Sequence, residues 1–85
     1  MLLELLVINF FGGNRMRTIL IKYEWWGGQI ADKWLWTGVF EDTNKLYDYD
    51  TKIGLMKSAE RDGYSWKVLR THKNGTNSVV SQKHL

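Results

Sequence analysis

Apolar and polar positions alternate most clearly between Arg17 and Phe40. From Thr18 to Trp26 an extended chain places Ile19, Ile21, Tyr23 and Trp25 on one side. Thr18, Lys22 and Glu24 fall on the other, where Leu20 and Trp26 are the two apolar exceptions. After the segment GGQIAD, a second run puts Trp34, Trp36 and Phe40 on one side and Lys33, Leu35, Thr37 and Val39 on the other. The two runs predict an aromatic hairpin whose inner row, Ile19, Ile21, Tyr23 and Trp25 with Trp34, Trp36 and Phe40, is mostly core. Gly38 interrupts that row. A missing side chain in a strand marks a bulge or the close approach of a neighbour, and a helix crossing the sheet there would account for it.

Beyond Phe40 the period changes from two to between three and four. Leu46, Tyr49, Ile53 and Met56 recur at helical spacing and Ala59 closes the stripe, with Asp42 or Thr43 as the N-cap and Gly63 as the stop. Gly54 inside this helix costs roughly 1 kcal/mol relative to alanine. That cost leaves a second reading open: a break near Asp50-Thr51, preceded by a turn over Asp42 to Lys45 and a short strand at 46–49. The chain then returns to strand-like runs on either side of Asn74-Gly75, the strongest short hairpin signal, because a type I′ turn needs positive φ at both centres. Such a turn sets Lys73 opposite Thr76, Thr71 opposite Ser78 and Leu69 opposite Val80, with Trp66, Val68 and Val79 facing the helix. The predicted fold class is α+β over residues 16–85: a small antiparallel sheet in the order strand, strand, helix, strand, strand, with one helix packed on one face.

Residues 2–11, LLELLVINFF, are too short to span a membrane and are interrupted by Glu4. They carry none of the features of a secretory signal. Two readings of residues 1–15 are open. One is an extra N-terminal strand joined through Gly12-Gly13-Asn14. In the other, Gly12-Gly13 is a translated ribosome-binding site, translation naturally begins at Met16, and residues 1–15 are an upstream extension forming an apolar arm. The nucleotide sequence decides between them.

Composition shifts the emphasis from chemistry to surface. A chain of 85 residues has little core to work with, and five Trp, four Tyr and three Phe supply it. The absence of cysteine removes disulfides, thiolate metal sites and Cys nucleophiles, and fits a cytoplasmic location. The net charge of +3 is unevenly spread. Residues 41–63 hold Glu41, Asp42, Asp48, Asp50, Glu60 and Asp62, whereas from Tyr64 onward Lys67, Arg70, Lys73 and Lys83 meet no acid.

Candidate chemistry is sparse. Asp48, Asp50, Glu60 and Asp62 lie among Lys and Arg at helical spacing and read as a solvated face rather than as acid and base pairs. His72 is the sole histidine in a predicted element, and with His84 it gives no metal-ligand spacing, so no cofactor and no metal are expected. As a general base His72 would need an orienting acid, and none is near it in sequence. The Gly-Gly pairs lack the residues of a phosphate loop.

Three functions follow, in order of expectation. The first is a small non-catalytic protein-binding module, an inhibitor or adaptor of the kind compact bacterial or phage genomes encode, acting through an exposed aromatic sheet face at Leu20 and Trp26. The second is a single-stranded nucleic-acid binder using the basic C-terminal hairpin, where Lys67, Arg70, His72 and Lys73 lie beside Trp66. The third is a small ribonuclease-like protein centred on His72. No membrane partner is expected. Exposed hairpin edges and an apolar arm favour a homodimer.

Overall fold

The computed structural model describes residues 17–28 and 32–85. Residues 1–15, with their expected strand or arm, and the start at Met16 lie outside the described residues, as do residues 29–31 of the first turn. The elements are β1 (Thr18–Trp26), β2 (Lys33–Phe40), β3 (Leu46–Tyr49), α1 (Lys52–Arg61), β4 (Ser65–Thr71) and β5 (Asn77–Lys83). They form a small α+β fold: a five-stranded sheet in the order β3-β2-β1-β4-β5, with α1 on one face.

The sheet is mixed, because the central pair β1 and β4 is parallel, running from Thr18 beside Ser65 to Lys22 beside Leu69. The other three pairs are antiparallel. The parallel pair follows from β3. Each strand or helix reverses the chain direction, so one additional strand between β2 and α1 brings β4 back in the direction of β1.

The break near Asp50-Thr51 is the reading the structure takes, and the helix does not begin at Asp42 or Thr43. The turn after β2 instead places Asn44 at φ 59°, with its amide donating to the Phe40 carbonyl at 2.7 Å. Thr51 is the N-cap, its hydroxyl accepting from the Gly54 amide at 3.0 Å. A Cβ at Gly54 would run into the Asp50 carboxylate, so the glycine that weakens the helix is what lets Asp50 fold over its first turn. The later start also resets the helical phase. Leu55 and Ala59, four apart, are the fully buried pair, whereas Ile53 is 53% exposed.

The core consists of Ile19 and Ile21 of β1, Leu55 and Ala59 of α1, and Trp66 and Val68 of β4, with Trp36, Phe40, Tyr47, Met56 and Tyr64 packed around it. Gly38 lies beneath the helix as its place in the aromatic row implied. A Cβ there would stand 2.8 Å from Leu55 Cδ2 and 3.3 Å from Ile19 Cγ2, and the β2–β3 register shifts between Gly38 and Val39.

The second hairpin differs from expectation by one residue. Gly75 has φ 88° but Asn74 does not have positive φ, so the turn is not type I′. The Gly75 amide donates to His72 at 3.0 Å and the His72 amide to Thr76 at 2.8 Å, closing a longer loop with the left-handed glycine at its end. Asn74 Oδ1 holds it by accepting from the Thr76 amide and hydroxyl. Thr71 therefore faces Asn77 and Leu69 faces Val79. Val79 shares the side of Leu69, away from the helix, and a register shift between Val68 and Leu69 leaves Val80 to turn toward the helix side.

Candidate functional site

The helix and the hairpin it covers are unequal in length. Ten residues of α1 span about 15 Å, while nine residues of β1 span about 30 Å. One end of the aromatic row therefore extends past the helix N-terminus with nothing from α1 above it. The row is expected to be mostly core, and this end of it is not. Tyr23 is 49% exposed, Trp25 53% and Trp34 56%.

These rings support one another. Tyr23 stacks on Trp34 with centroids 5.8 Å apart and planes 21° from parallel, and Trp25 meets Trp34 edge-on at 6.2 Å. Tyr23 also leans on the half-buried Trp36 at 5.2 Å. The cross-strand register that creates the cluster pairs Tyr23 with Trp36 and Trp25 with Trp34. At the open end of the helix, Lys52 Nζ stands 5.5 Å from the Trp36 ring centre.

The far wall of this space is the β4–β5 hairpin. Val68, Arg70, His72, Lys73 and Val80 complete a cleft of about 750 Å³ whose floor is Tyr23, Trp25, Trp34 and Trp36. That volume lies within the usual range for small-molecule and cofactor sites, roughly 300–1,000 Å³. The hairpin wall is braced by His72 Nε2 to Ser78 Oγ at 2.6 Å and by Thr71 Oγ1 donating to Asn77 at 2.7 Å. Glu24 also borders the cleft, but its carboxylate accepts the hydroxyl of buried Thr37 at 2.7 Å. Among the described residues, Lys52, Arg70 and Lys73 have no salt-bridge partner.

Of the four residues proposed for nucleic acid, Arg70, His72 and Lys73 come together in this cleft. Lys67 does not. It lies opposite Gln82 and beside Leu20, and reaches Glu41 at 3.5 Å. Trp66, grouped with them in sequence, is 5% exposed and donates its indole N–H to Glu60 at 2.8 Å, so its faces are closed to a ligand. Leu20 and Trp26 are half-buried on the opposite sheet face, where Trp26 packs edge-on against Tyr49 at 5.1 Å. No carboxylate bonds His72 among the described residues, which leaves its imidazole with Ser78 as its side-chain partner.

The groups with displaced pKa values lie outside the cleft: burial pushes up the Tyr49 phenol beside Trp26 on the other sheet face, and the rest gather about the C-terminal end of α1. The Trp66 indole, followed by Lys83, holds Glu60 below the usual carboxylate range. Arg61 and the Tyr47 hydroxyl do the same for Asp62. Burial and the Asp62 carboxylate push the Tyr47 phenol up. These contacts lock the helix end and its neighbouring strands.

Tyr23, Trp25 and Trp34, which the sequence pattern places in the inner row, and Lys52, to which it gives no role, are the site residues that the pattern misses. The signal that would have found them is the length of the helix, fixed by Thr51 and Gly63, set against the length of the hairpin below it.

Among the described residues, no helix is long and apolar enough to cross a membrane, and no group of three or more His, Asp or Glu is placed to hold a metal ion. Comparison with protein-family models, with curated proteins and with solved structures finds no match to this chain.

Proposed function

We propose that the chain is a non-catalytic binding module whose working surface is the open aromatic cleft on the helix side of the sheet. One observation carries this reading: three large rings, each about half exposed, are held by one stacked and one edge-on contact in a row that the ten-residue helix is too short to cover. A folded domain of this size gains most by burying such rings, and contiguous exposed aromatic surface marks sites of recognition. The cleft is braced before any ligand arrives, which limits the ordering cost of binding. On the opposite face Leu20 and Trp26, the expected protein-binding site, are each half-buried, and Trp26 packs edge-on against Tyr49.

NMR mapping with a library of small aromatic fragments tests this directly. The expected result is that hits shift the indole N–H signals of Trp25 and Trp34 and the amides of Arg70 to Lys73. Hits that cluster on Leu20 and Trp26, or that leave every indole unmoved, would contradict the proposal.

A further inference from the structure

Resting on that reading of the cleft, we infer that its ligand is single-stranded nucleic acid, with bases laid on Tyr23, Trp25 and Trp34 and phosphates drawn to Arg70, Lys73 and Lys52. Two independent features of the cleft meet in this ligand. The floor presents three half-exposed aromatic rings, and the rim presents cations that no carboxylate of the described chain engages.

The charge on the rim selects for an anion. Arg70 and Lys73 belong to the segment from Tyr64 onward that contains no Asp or Glu, and Lys52 sits across the cleft from them with its ammonium over the Trp36 ring. The one bordering acid, Glu24, is turned to Thr37 on the other sheet face. A backbone of phosphates threading between the hairpin wall and the helix end would pass cations on both sides.

The floor selects for exposed bases. In a duplex the base faces are stacked on one another and unavailable, so a row of half-exposed rings gains nothing from double-stranded DNA or RNA. Unstacked bases supply the missing faces, and each base laid on an aromatic contributes about 1–3 kcal/mol without regard to which base it is. An acidic peptide would satisfy the rim but would leave the rings largely uncovered. The expected ligand is therefore a short single strand bound with little sequence preference, its bases on the floor of the cleft and its phosphates along the rim.

Fluorescence anisotropy with labelled oligodeoxythymidylate and oligouridylate of about a dozen nucleotides tests the inference. Both or either should bind, and log K should fall with log salt at a slope of about −2, roughly 0.7 for each of three phosphates engaged. Arg70→Ala/Lys73→Ala, two exposed sites whose loss spares the fold, should reduce that slope to about −0.7. Trp25→Ala and Trp34→Ala, assayed separately and shown folded by circular dichroism, should each weaken binding about fivefold or more while leaving the slope unchanged. Equal affinity for a duplex of the same length, equal affinity for an oligoglutamate peptide, or indifference to both sets of variants would overturn the inference. If aromatic fragments map to Trp25 and Trp34 but oligonucleotides do not bind, the cleft stands and its ligand class is wrong. If neither binds, both readings fall.

Discussion

Leu55→Ala is expected to destabilise the domain by about 2–5 kcal/mol, a large share of what a chain of this length possesses. Leu55 is fully buried and is the helix residue that enters the gap at Gly38, so its removal opens a cavity within the contact between α1 and the aromatic hairpin. Gly38→Ala alone is expected to cost about 1–3 kcal/mol, because its new methyl would stand 2.8 Å from Leu55 Cδ2 and 3.3 Å from Ile19 Cγ2, both fully buried side chains that would have to give way. Each change damages the contact in the opposite sense, one by deficit and one by excess. The double variant should therefore be more stable than the sum of the two losses predicts, since the alanine at 38 enters space vacated at 55. Urea unfolding followed by circular dichroism measures all four corners of the cycle. Strict additivity would mean that the helix does not lie on Gly38.

Trp66→Ala is expected to cost about 3–5 kcal/mol, and on a domain of this size each kcal/mol lowers the melting temperature by about 4–8 °C. The indole is 5% exposed, joins Ile19 and Val68 in the core and donates to Glu60 at 2.8 Å, so both its packing and its hydrogen bond are lost. Trp34→Ala removes a ring of the same size that is already 56% exposed, and its loss should fall near 1 kcal/mol by comparison. Differential scanning calorimetry of the two variants separates structural from surface tryptophans. Equal melting temperatures would show that the aromatic row is not divided by the helix end.

Much of this fold could be read from local pattern. Period-two alternation places β1, β2, β4 and β5, and the gap at Gly38 marks the helix crossing. Element starts were harder. The stripe from Leu46 to Ala59 fitted a helical period across a boundary that Thr51 and Asp50 impose by capping, and no periodicity count registers a cap that competes with a continuous stripe. From that one ambiguity came the missed parallel pair and the wrong buried residue, Ile53 in place of Leu55. The hairpin at Asn74-Gly75 slipped because Asn74 used its side chain to hold Thr76 rather than its backbone to adopt positive φ. The cleft was the least legible feature. Alternation shows which face of a strand a residue occupies, but not how far along the strand the covering helix reaches. Tyr23, Trp25 and Trp34 therefore looked identical to Ile19 and Ile21 in sequence. Arg70, His72 and Lys73 were recognisable as a basic cluster, yet their aromatic partners proved to lie on β1 and β2 rather than at Trp66.

The central claim is that α1 leaves one end of the aromatic row open. Attenuation of the five indole N–H signals by a soluble paramagnetic agent measures this in one NMR experiment. Trp25 and Trp34 should be strongly attenuated, Trp26 and Trp36 partly so, and Trp66 protected. Protection of Trp25 and Trp34 to the level of Trp66 would mean that the row is closed core and that no cleft exists.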